Sequence, residues 1–239
     1  MSARDPHTSA PPSSSPQTPA SGRVWRDEGF RRDAGDLGRI AAELHARGWT
    51  PATSSNFSFR IDADHCAVTL SGRDKARLGA DDLLVVRLDG TVVDALPDAR
   101  PSAETGLHTA LYRRDATIGA VLHTHAPRAV LAPMFLARDG ELVLEGYELL
   151  KAFAGNDTHE TRLRIPVLAN SQDIDALADE GDRRLAAQGA DRPWAYLIEG
   201  HGVYVWGPDL AAAARHLEAL DYLLGLELER HRLAGGARA

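Results

Sequence analysis

The chain has one cysteine, Cys66, in 239 residues. That excludes an internal disulfide framework and any zinc module built on cysteine pairs. No apolar run approaches the roughly 20 residues that a membrane span needs. No basic segment followed by an apolar one opens the chain, as a secretory signal would. Basic residues are in the minority, 27 Lys and Arg against 34 Asp and Glu, for a net charge of −7. The broad positive surface that binds nucleic acid is therefore absent. These absences leave a soluble, acidic protein, expected in the cytoplasm, with no nucleic-acid or membrane partner. A chain of 25.8 kDa suits one domain that buries enough apolar surface to fold without a covalent staple. Ten histidines are the first unusual abundance.

Residues 1–22 are rich in Ser, Pro and Thr, with almost nothing to bury, and read as a disordered tail. A single domain is expected over 23–239. Within it the hydrophobic period switches repeatedly. Leu37, Ile40, Ala41 and Leu44 recur at helical spacing, and Gly48 is a good stop. Strand-like runs follow at 56–61, 66–70, 83–88 and 91–93, with Asp89-Gly90 as a hairpin signal between the last two. Ser102 opens a helix to Arg114, and 118–123 is a continuous apolar strand of the doubly buried kind. A helix should start near Ala126, a short one should cover 146–154, and a strand 165–169. Ser171 reads as the N-cap of a helix to Ala187. Strands at 195–198 and 203–206 precede a final helix from Pro208 to about Leu233. Irregular alternation with hairpins favours a mixed or mostly antiparallel sheet with helices on its faces.

The sharpest local feature is Val121-Leu-His123-Thr-His125-Ala-Pro127. Side chains two apart on a strand share a face, so His123 and His125 can aim at one point. His201 lies between two glycines in Glu199-Gly-His201-Gly202, where the backbone can turn sharply and bring the ring close to another element. Three histidines without cysteine describe an open metal site, with positions left for substrate oxygen. With no negative ligand the ion keeps its full charge and polarises a carbonyl strongly. Zinc suits nitrogen donors best, and iron, cobalt and manganese remain open on ligand type. His45, His65, His216 and His231 read as solvated or capping residues, and His159 as an exposed loop residue. His108 shares a helix face with Glu104, four residues earlier.

Three further segments collect anion donors. Thr53-Ser-Ser55-Asn56-Phe precedes a strand, Ser71-Gly72-Arg-Asp-Lys75 follows one, and Pro101-Ser102-Ala-Glu104 opens a helix. Hydroxyls, backbone N–H groups and one lysine point charge suit a phosphate monoester.

In this order the segments Thr53–Ser58, Leu70–Lys75, Pro101–Arg113, Val121–Pro127 and Glu199–Gly207 resemble the class II aldolase and adducin head family. The match runs from about Arg31 to Leu233. The resemblance implies a three-layer α/β/α domain with a mostly antiparallel central sheet, assembled as a homotetramer. It implies one Zn2+ per subunit, held by His123, His125 and His201, and action on a phosphorylated ketose through an enediolate. Ser55, Asn56, Ser71, Gly72, Lys75 and Ser102 would then hold the substrate phosphate. Adducin-type heads typically lose the metal histidines, and this chain keeps all three.

Lys75, Gly202-Val-Tyr-Val-Trp206 and Gly146-Tyr-Glu148-Leu-Leu-Lys151 resemble most closely a branch of the family that removes water from its substrate. That likeness makes Glu148 the expected proton donor and acceptor. Packing of Tyr147, Leu149 and Leu150 around it would raise its pKa toward neutrality. Glu104 is the second candidate, at the position that transfers protons in the family's sugar-phosphate aldolases. An aldolase or 4-epimerase is thus the alternative activity. Ser55 departs from many relatives, which carry glycine there.

Overall fold

The structure, a computed structural model, describes residues 25–97, 99–189 and 192–236. The tail expected over 1–22 lies outside them. The chain order is α1 (Glu28–Ala46), β1 (Asn56–Arg60), β2 (His65–Thr69), β3 (Leu83–Arg87), β4 (Val92–Asp94), α2 (Thr105–Arg114), β5 (Ala120–Thr124) and α3 (Pro127–Leu136). Then come β6 (Glu141–Glu145), β7 (Arg162–Leu168), α4 (Ile174–Ala187), β8 (Ala195–Ile198), β9 (Gly202–Gly207) and α5 (Leu210–Gly236). Short helical turns cover Lys75–Arg77 and Glu148–Ala152.

Among the described residues nine strands form one sheet, in the order β4-β3-β2-β1-β5-β9-β8-β7-β6. Every neighbouring pair is antiparallel except β7 with β8. The mostly antiparallel three-layer arrangement expected from the sequence is what forms. The middle strand β5 is buried along its whole length, which explains its unbroken apolar run. On one face α2 and α4 pack together, α2 over β1 and α4 over β7. The other helical layer is built by α3 and α5, with α1 beside them. The amphipathic α1 turns Phe30, Ala34, Leu37, Ile40, Ala41 and Leu44 inward, and its N-cap Asp27 accepts from the Phe30 N–H.

Several boundaries differ from the sequence reading: the short helix expected over 146–154 is the turn Glu148–Ala152, the last helix begins at Leu210 and not at Pro208, and β5 begins at Ala120 and not at 118. The helix expected from Ser102 begins at Thr105, with Glu104 at the N-cap position. The cap of α4 is Asp173, whose carboxylate accepts from Ala176 N, and Ser171 only accepts from Asp173 N. Strand β6 has no counterpart in that reading, and β7 begins at Arg162 instead of 165.

Candidate active site

The sheet register builds the site. Asn56 of β1 lies opposite His123 of β5, and His123 lies opposite Tyr204 of β9. Three polar side chains therefore stand in a row across adjacent strands, beneath the N-terminus of α2. His125 follows the end of β5, where its N–H donates to Trp49 O. His201 sits in the β8–β9 turn, with Gly200 at φ +66°. A Cβ at Gly202 would lie 2.2 Å from Thr124 O, so only glycine lets this turn press against the end of β5.

The three imidazoles converge, with one nitrogen of each within 4.8 Å of the others. His123 is fully buried and stacked on Tyr204, with ring centroids 4.3 Å apart. Its Nδ1–H donates to Val203 O at 3.0 Å, which leaves Nε2 bare and aimed inward. That Nε2 faces His125 Nε2 at 3.0 Å. The Nδ1 of His201 is buried without a partner. Burial pushes the pKa of His123 down to about 3 and lowers that of His125, so both rings are neutral donors at pH 7.

The donor set fits a divalent cation. Two bare nitrogens at this separation repel unless a proton or a cation lies between them. Zinc–nitrogen bonds of about 2.0–2.1 Å place tetrahedral ligand atoms about 3.3 Å apart. Among the described residues this is also the one group of three or more potential ligands that converges.

Glu104 lies against the cluster. Its Oε2 is 3.4 Å from His123 Nε2 and its Oε1 is 3.1 Å from His201 Nε2. Asn56 Nδ2 donates to Oε2 at 2.6 Å and the Tyr204 hydroxyl donates to it at 2.9 Å. Burial alone would raise this carboxyl. The His201 hydrogen bond, the nearby His123 ring and the Asn56 hydrogen bond outweigh it and hold the group well below the usual carboxylate range.

The expected anion site is partly assembled. Ala52, Thr53 and Ser55 all have positive φ, of 51°, 59° and 75°, and this strained loop leads directly into Asn56. The Ser102 hydroxyl lies 3.4 Å from Asn56 Nδ2, and Ser71 N–H donates to Arg100 O. Ser71 and Gly72 are exposed in their turn. Lys75 is neither solvated nor pointing into open space. It is 1% exposed, and its ammonium donates to Thr53 O and Arg73 O at 3.0 and 2.8 Å. Burial lowers its pKa.

Glu148 is elsewhere. It starts the exposed turn Glu148–Ala152, which packs on α5, with its side chain 73% exposed and paired with Lys151 at 2.5 Å. Lys151 lowers its pKa. The expected burial and upward shift are therefore not found, because Leu150 alone of its apolar neighbours turns fully inward. No hydrogen bond or ion pair among the described residues joins Glu148 to the cluster.

Two residues in the site escaped the sequence reading. Tyr204 is one, although it falls three residues after His201 in a strand adjacent to His123. His108, left open there, is fully buried and bonded to Asn56. His216, expected to be solvated or capping, is also fully buried. It donates from Nδ1 to Trp206 O and accepts the Ala154 N–H at Nε2.

The fold and the histidine cluster together are those of a known family. Residues 36–228 match the Class II Aldolase and Adducin N-terminal domain, and the chain belongs to that family. It is 52% identical over 213 residues to a methylthioribulose-1-phosphate dehydratase of Stenotrophomonas maltophilia, covering 86% of this chain and 98% of that one. It is 55% identical over 193 residues to the protein of the same name from Xanthomonas euvesicatoria, covering 81% and 87%. Among solved structures, an l-fuculose-1-phosphate aldolase from Thermus thermophilus superposes with a TM-score of 0.65 at 30% identity, over 86% of this chain and 97% of that one. A putative aldolase/epimerase/decarboxylase from Escherichia coli superposes at 0.69 and 24% identity, over 83% and 89%.

Proposed function

We propose that this chain is a metal-dependent lyase that converts 5-methylthioribulose 1-phosphate to 2,3-diketo-5-methylthiopentyl 1-phosphate and water, a step of methionine salvage. The observation that carries the reading is the convergent triad of His123, His125 and His201 with Glu104 beside it, in a chain so similar to named dehydratases over nearly their whole length. The triad would hold one divalent cation, Zn2+ by ligand preference, which supplies Lewis-acid stabilisation of charge developing on the ketone oxygen.

The reaction removes a proton from C3 and the hydroxyl from C4, and the enol so formed becomes the second ketone. Within one chain Glu104 is the carboxylate next to the cluster, and it is held ionised. Asn56 and Tyr204 fix its Oε2, and Oε1, the cluster-side oxygen that lies 3.1 Å from His201 Nε2, is the atom proposed to accept the C3 proton. Protonation of the departing C4 hydroxyl needs a second group. Glu148 fits that role only from a neighbouring subunit of a homotetramer. Beside it Leu149 and Tyr222 are 38% and 55% exposed, an apolar surface that assembly would cover. Ser55, Ser71, Gly72 and Ser102 are proposed to hold the phosphate, with Lys75 beneath the loop. Asn56 is assigned to Glu104 instead.

A coupled assay with 5-methylthioribulose 1-phosphate on zinc-loaded and zinc-stripped protein tests the reading. Turnover only when loaded supports it, and inertness of the loaded protein refutes it. Glu148→Gln should keep zinc and substrate binding and lose at least 10²-fold in kcat, on the order that a positioned proton donor contributes. A near-normal Glu148→Gln with an inert Glu104→Gln would place the whole proton path on Glu104. Light scattering should give four times the 25.8 kDa of the chain, and a monomer would remove Glu148 from the site.

The second reading is a sugar-phosphate aldolase or 4-epimerase. Glu104 at the cluster favours it, as does the likeness to the fuculose-phosphate enzyme. An aldolase would split the carbon chain, whereas the dehydratase leaves it intact, so product mass separates the two.

A further inference from the structure

Behind Glu104 a line of buried polar groups runs into the core, and among the described residues its side-chain hydrogen bonds reach the histidine cluster through that carboxylate. Asn56 Nδ2 donates to Glu104. Asn56 Oδ1 meets His108 Nε2 at 2.5 Å, His108 Nδ1 meets the Ser58 hydroxyl at 2.7 Å, and Ser58 meets the Tyr112 hydroxyl at 2.8 Å. Ser58, His108 and Tyr112 are buried to 1% exposure or less.

The line exists because two periods match. Glu104, His108 and Tyr112 are four apart along α2, about 6 Å per step. Asn56 and Ser58 are two apart on β1, about 6.7 Å per step. Helix and strand side chains therefore interleave one for one.

The direction of every proton follows by elimination. An ionised carboxylate only accepts, so Asn56 must turn its NH2 to Glu104 and its carbonyl to His108. His108 must then carry its hydrogen on Nε2, which leaves Nδ1 to accept from Ser58. Ser58, having donated, accepts from Tyr112. With the His108 ring neutral, no other arrangement satisfies all five groups while Glu104 is charged. Burial pushes His108 down to about 4, so the ring holds one proton at working pH.

We propose that His108 is a positioning residue, which as the Nε2–H tautomer locks the Asn56 amide and so aims the Glu104 carboxylate at the histidine cluster. A histidine that only filled the core would serve equally well in either tautomer. This one serves in one tautomer only. The inference deepens the lyase reading and rests on it for the reaction, but not for the geometry.

The test has a part that needs no turnover. Multiple-bond 1H–15N spectra of the zinc-free protein at pH 7 should show His108 with a bare Nδ1 and a protonated Nε2. An Nδ1–H tautomer or an imidazolium overturns the proposal. Crystal structures of His108→Leu should show the Asn56 amide turned and Glu104 displaced from His201. Glu104 unmoved in that variant overturns the proposal, whatever the wild type turns over.

The kinetic part uses the dehydration assay. His108→Leu should lose about 10–100-fold in kcat, the scale of a displaced catalytic group, with KM and zinc content within about twofold. His108→Gln, whose amide can still donate to Asn56, should recover most of the loss. A variant pair equally impaired, or impaired only in melting temperature, reduces His108 to packing. Wild-type inertness in the assay would refute the lyase reading while leaving the spectra and the variant structures to decide this one.

Discussion

At Gly202 a side-chain carbon would lie 2.2 Å from the Thr124 carbonyl oxygen and 3.3 Å from His125 Cα. Neither contact can relax without parting β9 from the end of β5, where two of the three metal-binding candidates stand. Gly202→Ala should cost about 1–3 kcal/mol as overpacking and should also lower zinc stoichiometry, read by urea titration and metal analysis. Gly200→Ala meets no atom within 4 Å. It should cost about 1 kcal/mol, from the positive φ alone, and keep the metal. Equal behaviour of the two variants would show that the close approach does not matter. His123→Ala, His125→Ala and His201→Ala should each release zinc while the fold persists, and full occupancy in any one removes that residue from the ligand set. These residues were legible because their spacing is itself the geometry, two along a strand or one between glycines. Tyr204 and the orientation of Asn56 were not legible. They depend on which strands lie side by side, and a run of small polar residues before a strand reads equally well as an anion loop.

The elements show the same division. Among the described residues periodicity located the five helices and seven of the nine strands at full or nearly full length, and it marked the β3–β4 hairpin by Asp89-Gly90. Strand β6 escaped because Glu141-Leu-Val-Leu-Glu145 is a five-residue edge segment. It pairs with β7 across a long connection, with no two-residue turn to announce the hairpin. What fixes the pairing is tertiary: Leu142 and Leu144 face the core, and Arg164 pairs with Glu141 across the strands. The sequence predicts a short helix over 146–154, with Glu148 shielded if its apolar neighbours pack around it, whereas the connection is a short exposed turn anchored differently. His216 of α5 accepts the Ala154 N–H and stacks on Phe153, and Trp194 Nε1–H donates to Ala154 O. His216 therefore binds the connection to the helical layer. His216→Ala should cost about 2–3 kcal/mol by leaving Ala154 N–H and Trp206 O without partners in a new cavity. Zinc content should be unchanged, because the contact lies away from the cluster. A stability unchanged in urea would mean that the connection holds without it.

For the molecule as a whole, burying so many neutral histidines ties stability to pH. In the unfolded chain a histidine titrates near 6.5. In the fold, burial moves His108 to about 4 and His123 to about 3, and lowers His216. A lowered pKa means that the unfolded chain binds protons which the native one refuses, so acid favours unfolding. The contribution is whole above about pH 6.5. It drains away as pH falls from there toward about 4 for His108, and further for His123. For His108 the shift corresponds to roughly 3 kcal/mol at the low end, at about 1.4 kcal/mol per pKa unit. Glu104, held low in the fold, begins to add to the loss only as pH falls through the ordinary carboxylate range, where the unfolded chain takes up that proton. The decline between pH 6.5 and 5 therefore belongs to histidine. Urea unfolding of the zinc-free protein should show stability falling across that interval, well before the carboxylates titrate. His108→Leu should start less stable at pH 7, since it leaves Asn56 and Ser58 short of partners, yet lose less on acidification. The two curves should thus converge toward pH 4. Parallel curves would show that the fold leaves the proton affinity of His108 at its unfolded value, and the acid sensitivity would then belong to His123 and His216.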